Sequence, residues 1–566
     1  MTAPVRGLGA ALTALRDVLA GARYPLRVPP AAEADKLAQA TLAQLDDYLI
    51  PRLARLDAPL LVVVGGSTGA GKSTLVNSLV RERVSPAGAR RPTTRSPVLV
   101  CHPDDADWFT QAHLLPRLGR THDVGEDGLR IVPTDRLAAG LALLDAPDID
   151  SVVESNRVLA EKLLAAADLW LFVTTATRYA DAVPWDLLHE ARRRGTAIAL
   201  VLNRVPADAD REVVAHLTEM LAEYSLDRVP LFVVPETTLS DGLLPEPVLT
   251  RLRDWLTSLA HDAQARAVVV RQTVDGAVAA LVPMVEQLAQ AAQAQDEAVT
   301  ALKTAVDTAY AEAESHVDIG VRDGSLFRGE VLARWQELVG TGEFMRGLQA
   351  RVSRLRDRVV DAVTGRPRPA DQLAVALESH LVTFIQGAAA DAAEQAFSAW
   401  KAHPAGSALA APAGPGPDVE ARLDRLVRDW QRAVLELVRT ESANKLYVAR
   451  VGAYAVNALG LAVMITVFAA TAFIPTGAEI AVGAGTTVAG QKLLEAVFGD
   501  QAVRKLAESA RRDLLDRVHA FMAGEADRFS AVLASAGVDP SLAEHLRSAS
   551  VALVAARTAD PVGGPS

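Results

Sequence analysis

The sequence predicts an α/β domain built on a mostly parallel sheet with helices on both faces, joined to a large all-helical region. Three observations carry this expectation. Apolar runs alternate with helix-patterned stretches between residues 59 and 255, the rhythm of strand–helix–strand units. The first run, residues 60–64, leads into Gly66-Ser67-Thr68-Gly69-Ala70-Gly71-Lys72-Ser73 and then into apolar-patterned residues 74–80, the strand, glycine turn and helix of a phosphate-binding loop. From residue 256 onward, apolar residues recur at steps of three and four in an Ala- and Leu-rich chain, the stripe that packs helix on helix.

The chain has 566 residues, enough for two or three domains with a large core. Half of it is hydrophobic yet only 5% is aromatic, a composition suited to long packed helices. A net charge of −11 gives no globally basic surface, so no nucleic-acid partner is expected. The single cysteine, Cys101, excludes an internal disulfide and fits a reducing cytoplasm. It ends the apolar run 98–100 and reads as a small buried residue. The N-terminus lacks the basic-then-apolar pattern of a signal peptide.

Taken in order, residues 1–58 read as N-terminal helices. Leu8, Leu12, Leu15 and Leu19 lie near helical spacing, prolines break the chain at 25–30, and a second stripe runs from Ala38 to Leu56 with Pro51 interrupting it. They are expected to pack on the nucleotide domain or on helices from the C-terminal half. Residues 59–255 hold candidate strands at 60–64, 98–101, 141–144, 169–173, 197–202 and 229–234. Residues 256–450 read as a helical bundle or stalk, with 263–314 as one or two long helices, Trp335 as a packing anchor and 403–417, rich in Pro, Gly and Ala, as a flexible loop. Residues 451–478 carry no charge, and a span needs roughly 20 apolar residues. The stretch 451–491 is therefore expected to enter a lipid membrane as a hairpin or re-entrant segment, with a buried bundle helix as the alternative. Residues 492–557 return as helices, and 558–566 form a tail.

The chemistry concentrates at the loop. Its glycines let backbone N–H groups turn inward around phosphate oxygens. Lys72 supplies positive charge at the terminal phosphates, and Ser73 supplies a hydroxyl for Mg²⁺. Asp145 closes the run 141–144, at the end of a strand where a carboxylate would help hold hydrated Mg²⁺; Asp148 follows three residues later. Thr93 and Thr94, between Arg91 and Arg95, offer a hydroxyl before the second strand, placed to complete the metal shell and sense the γ-phosphate.

These motifs resemble the GTPase class that includes the Era-like, septin-like and dynamin-like proteins, over about residues 59–240. The layout of the helical remainder is similar to bacterial dynamin-like membrane GTPases. The resemblance implies GTP rather than ATP as substrate and Mg²⁺ as cofactor. It assigns Gly66 to Ser73, with Thr74 behind them, to the first motif. Thr94 becomes the switch threonine. Asp145 to Asp148 become the third motif, with Asp148 where a glycine is usual. Asn203-Arg204-Val205-Pro206 stands at the fourth motif without its aspartate, Asp208 or Asp210 being possible substitutes, and Glu236 marks the fifth. Catalytic roles then fall to Lys72, Ser73, Thr94 and Asp145, metal binding to Ser73, Thr94 and Asp145, and base contacts to Asn203, Arg204 and Glu236.

No classical catalytic glutamine stands after Asp148, so turnover is expected to depend on an ordered water, the switch threonine and homodimer or homo-oligomer formation. The expected function is Mg²⁺-dependent GTP hydrolysis coupled to helical rearrangement at the cytoplasmic face of the cell membrane. The alternatives are a membrane-anchored scaffolding GTPase and an ATPase. No Leu-Ser-Gly-Gly-Gln-like signature lies between the loop and Asp145, which counts against a transporter ATPase. A small-molecule kinase leaves the helical half unexplained.

Overall fold

The computed structural model describes residues 3–86, 97–111, 114–115, 118–121, 128–150, 154–193, 195–206, 210–322, 369–442 and 500–559. The chain forms two compact units. One comprises the N-terminus to Tyr24, Pro29–Ala294 and the chain from Asp539; the other comprises Pro25–Val28 and Gln295–Val538. The division falls inside the long helix Ala263–Arg322.

The first unit is built on a sheet of eight described strands: β1 Leu60–Gly66, β2 Val98–Cys101, β3 Arg120–Thr121, β4 Leu129–Pro133, β5 Leu141–Asp145, β6 Leu169–Thr175, β7 Ala197–Val205 and β8 Leu231–Pro235. Their order is β3-β4-β2-β5-β1-β6-β7-β8. Every pairing is parallel except β2 with β5. Strands β1, β5 and β6 are buried at every position, as expected of parallel strands covered on both faces. The near-continuous apolar runs that predicted the central strands are a consequence of that double burial. Strands β3 and β4 carry no clear signal in the sequence: β3 is two residues long, and β4, Leu-Arg-Ile-Val-Pro, is half-exposed and lacks a clean period.

The N-terminal helices belong to this unit. Helix α1 (Ala3–Gly21) buries Leu8, Leu12, Leu15 and Leu19 and packs along the C-terminal helix Leu542–Ala559. Helix α2 (Ala31–Gln44) passes through a π-turn at Leu45–Leu49 into α3 (Ile50–Ala54), with Pro51 directly after the π-turn. A buried polar hub ties these helices to the base of the sheet. The Asp168 carboxylate receives Leu61 N–H (2.7 Å), Tyr48 O–H (3.0 Å) and the Arg52 guanidinium (2.8 Å), and both charged side chains are fully buried. Thr273, on the following long helix, donates to the Asp168 carbonyl (2.8 Å) and accepts from Ala197 N (3.1 Å).

The second unit is helical. Residues 295–322, Pro369–Ala402, Val419–Ser442 and Asp500–Ala536 enclose one apolar core. Trp400 and Trp430 are fully buried, and their indole N–H groups donate to Leu302 O (3.0 Å) and Ala510 O (2.8 Å). The stretch predicted as a loop after Trp400 begins with a short helix, Pro404–Ser407. Buried Glu525 accepts Gly416 N–H (2.7 Å) while pairing with Arg422 and Arg528, and Arg528 holds the Gly414 carbonyl (2.9 Å). Loop composition and loop freedom are therefore separate properties here.

Among the described residues, the helix Ala263–Arg322 alone is long and apolar enough to cross a membrane. Within the first unit its residues Val270, Val274, Leu281, Val285 and Leu288 are fully buried, the packing of a core helix. The proposed membrane segment 451–491 and Trp335 lie outside the described residues.

Candidate nucleotide site

The loop between β1 and α4 (Lys72–Val80) sits at the C-terminal end of β1, where ligands bind in open parallel sheets. Its backbone requires glycine at two points. Gly66 has φ +148°, and a Cβ there would stand 2.0 Å from the Val173 carbonyl oxygen on β6. Gly71 has φ +92°, with Asn203 Nδ2 2.7 Å from the position of its missing Cβ. Ser67, Thr68, Gly69 and Ala70 complete the turn, closed by Ala70 N–H to Ser67 O (3.2 Å). Thr74 lies in the first turn of α4.

Lys72 is 6% exposed. Its ammonium donates to Gly66 O (2.9 Å), Ser67 O (3.1 Å) and Asp148 Oδ1 (2.5 Å). The two carbonyls curl the side chain back over the loop, and Asp148 neutralises its charge. Asp148 therefore pairs the loop's cation, the physical consequence of a carboxylate where the resemblance leads one to expect glycine.

Strand pairing brings Asp145 beside the loop, with Val64 opposite Asp145 in the β1–β5 register. The carboxylate is fully buried. Oδ2 accepts from Ser73 Oγ (2.6 Å) and Ser85 Oγ (2.5 Å), whereas Oδ1 is buried without a partner. Burial raises its pKa above the usual carboxylate range, against the opposing pull of Ser73, Ser85 and Lys72. A hydroxyl and a carboxylate with one unused oxygen are hard oxygen donors, which fit Mg²⁺. Among the described residues no cluster of three or more His, Cys, Asp or Glu side chains could hold a metal ion. A metal at Ser73 and Asp145 therefore needs most of its ligands from phosphate and water, the habit of Mg²⁺.

Asn203 is buried at the end of β7, and Nδ2 donates to Ala70 O (2.8 Å) while Oδ1 accepts Arg204 N–H (2.9 Å). The side chain predicted to face the base thus braces the phosphate loop. Arg204 is exposed with φ +55°. Glu236 is exposed at the end of β8, its N–H donating to Val205 O (2.9 Å). Thr93, Thr94, Arg91, Arg95 and Asp208 lie outside the described residues, as does the Asp210 side chain. Cys101 is buried, and desolvation, helped by Asp105, pushes its pKa to about 12, so it carries no nucleophile at neutral pH.

Three residues not singled out in the sequence belong to the site. Asp150 accepts both the Thr68 N–H and the Thr68 Oγ hydrogen (2.6 Å each). Arg178, after β6, donates to Thr68 O (2.7 Å), Asp150 Oδ2 (2.9 Å) and Asp181 Oδ2 (2.8 Å). Burial opposes ionisation of Asp150, but its bonds to Thr68 and the nearby Arg178 hold its pKa below the usual range. Ser85, also missed, completes the shell of Asp145. The available signal was positional: Asp150 follows Asp148 by two residues, and Arg178 lies just beyond a strand that flanks the loop.

Residues 62–117 match the dynamin family model. A curated relative, the probable transmembrane GTPase FZO-like, chloroplastic, of Arabidopsis thaliana, is 29% identical over 139 residues, a match spanning 25% of this chain and 14% of the relative. Among solved structures, two of an oligomerised bacterial dynamin pair, described as a mechanism for long-range sensing and tethering of membranes, align with TM-scores of 0.41 and 0.40, both at 11% identity. They cover 98% and 92% of this chain and 94% of each of theirs. A point variant of Era from Aquifex aeolicus, bound to GDP·AlF4⁻, aligns over 35% of this chain and 55% of its own, at 19% identity and TM-score 0.23. The stretch that matches the dynamin family model encloses the glycine loop with Lys72 and Ser73, so the α/β domain of this chain is similar there to dynamin-like P-loop GTPases.

Proposed function

We propose that the chain hydrolyses GTP with Mg²⁺ and couples the nucleotide state to its helical unit at a membrane. The observation that supports the chemistry best is the convergence of Lys72, Ser73 and buried Asp145 on one glycine-rich loop. Ser73 and Asp145 are the described residues that would hold the ion, with Thr94 added by family resemblance. Mg²⁺ bound there supplies positive charge to the β- and γ-phosphates. The loop amides bind and orient the triphosphate. Lys72, once it exchanges Asp148 for phosphate, stabilises charge that develops as the γ-phosphoryl group departs.

Asn203 acts in this reading by bracing Ala70, and Arg204 and Glu236, both exposed, are assigned to the base by family resemblance. Membrane engagement rests on the charge-free run at 451–478 and on the transmembrane description of the Arabidopsis relative. Self-association, through the α/β domain and the helical unit, supplies in this reading the order that a catalytic glutamine would give. Hydrolysis of GTP and of ATP, each with and without anionic liposomes, tests the whole reading. The expected result is Mg²⁺-dependent GTP turnover that rises with protein concentration and with liposomes, and that is lost in Lys72→Ala. Equal or faster ATP turnover would remove the base assignment, and indifference to liposomes would remove the membrane coupling.

A further inference from the structure

Two cations close over the start of the phosphate loop. Lys72 takes the carbonyls of Gly66 and Ser67, and Arg178 takes that of Thr68. Three consecutive loop carbonyls are thus held by positive charge from opposite sides in the chain. Each cation also has its own carboxylate from the segment after β5: Asp148 for Lys72, Asp150 for Arg178. Asp150 further occupies a loop amide, the Thr68 N–H. A phosphate entering the loop competes with Asp148 for Lys72 and with Asp150 for the amide. Losing Asp150 frees Nη2 of the Arg178 guanidinium, while its bonds from Nη1 to Thr68 O and from Nε to Asp181 keep it at the loop. The side chain is 36% exposed, so it is not locked in the core.

The geometry points to Arg178 as an arginine supplied by the chain itself to the transferring γ-phosphoryl group, a second catalytic cation beside Lys72 that Asp150 keeps paired until phosphate displaces it. The inference rests on the GTP-hydrolase reading above. In the step it serves, water oxygen bonds to the γ-phosphorus as the bond to the β–γ bridging oxygen breaks. The electron pair of that bond stays on the β-phosphate of GDP, and a water proton passes to the released phosphate. Negative charge builds on the bridging and γ-oxygens, and a planar guanidinium can meet two such oxygens at once. An arginine in this role adds charge stabilisation to the water ordering that self-association supplies. The competing explanation is a static brace, Arg178 merely fastening Thr68 to Asp150 and Asp181.

The test compares wild type with Arg178→Ala, Arg178→Lys and Arg178→Gln, the last keeping a donor for the Thr68 carbonyl without charge. Three quantities are read: kcat for GTP, Kd for a non-hydrolysable GTP analogue, and trapping of GDP with aluminium fluoride. The inference expects kcat to fall about 100-fold or more in Ala and Gln, Kd to change by less than about 3-fold, and aluminium fluoride trapping to disappear. Lys should restore less than about a tenth of the rate. A kcat within about 3-fold of wild type in Arg178→Ala, full activity in Arg178→Gln, or a loss confined to Kd would each overturn it in favour of the brace. A wild-type chain that binds no nucleotide would overturn the hydrolase reading and this inference together, whereas active wild type with an equally active Arg178→Ala overturns this inference alone.

Discussion

Replacing Asp148 by alanine should tighten GTP binding. In the structure the Asp148 carboxylate lies 2.5 Å from the Lys72 ammonium, with the lysine buried and the carboxylate 29% exposed. A triphosphate in the loop takes over that ammonium, so the pair must be given up on binding. A hydrogen bond between charged groups contributes about 1.5–3 kcal/mol, and the partial exposure of Asp148 lowers this to about 1–2 kcal/mol. Removing the competitor therefore strengthens binding by about 5- to 30-fold. The two carbonyl contacts, to Gly66 and Ser67, remain in the variant and keep Lys72 in place, so the comparison isolates the carboxylate. Isothermal titration with a non-hydrolysable GTP analogue reads the change directly. An unchanged Kd would mean that Lys72 keeps Asp148 when nucleotide binds. A weaker one would mean that Asp148 itself contacts the ligand. Either result refutes the competition argument.

Other consequences follow from the same geometry. Asp168→Asn should cost about 3–5 kcal/mol in urea unfolding, because Arg52 is left charged and buried; pairing it with Arg52→Met should cost less than the two single changes summed, and strict additivity would show that the hub is not coupled. Gly66→Ala should lower the melting temperature and abolish nucleotide binding, since its Cβ meets the Val173 carbonyl at 2.0 Å and the backbone strain alone is about 1–3 kcal/mol; a soluble variant with normal affinity would contradict the fit of β1 against β6. His519, hydrogen-bonded to Glu314 at 3.0 Å, has its pKa raised above the ordinary value by that bond and by the carboxylate's charge. The stabilisation it gives is fully present below about pH 6.5 and fades as pH rises through the raised pKa. An NMR titration should place His519 above its ordinary value in wild type and return it there in Glu314→Gln; an unshifted His519 would remove the contact.

How much was legible in the sequence follows physical lines. The central strands were readable because both of their faces are buried, which writes continuous apolar runs such as residues 60–64 and 169–173. The phosphate loop was readable because its backbone tolerates few substitutes: Gly66 and Gly71 have positive φ and neighbours within contact of any Cβ. Asp145 was readable because it ends a strand beside β1. Strands β3 and β4 were not, being short or half-exposed. Asp150 and Arg178 escaped because their meeting at Thr68 is produced by the sheet order, which places β6 and β5 on either side of β1, and no local spacing encodes that. The buried pair Arg52–Asp168 escaped for the same reason: the two residues lie far apart in the chain, and sequence reasoning assigns such charged side chains to the surface. Asn203 was found, but its bond to Ala70 gives it a place under the loop that motif position alone did not indicate.

The central claim is that the loop at residues 66–73 grips a guanine nucleoside triphosphate with a metal at Ser73. Calorimetric titration of the purified chain with non-hydrolysable GTP and ATP analogues, with Mg²⁺ and with EDTA, tests it most directly. The account predicts one site per chain that prefers the GTP analogue, weakens when Mg²⁺ is removed and is lost in Lys72→Ala. Binding of neither analogue in the presence of Mg²⁺, or binding that survives Lys72→Ala undiminished, would contradict it.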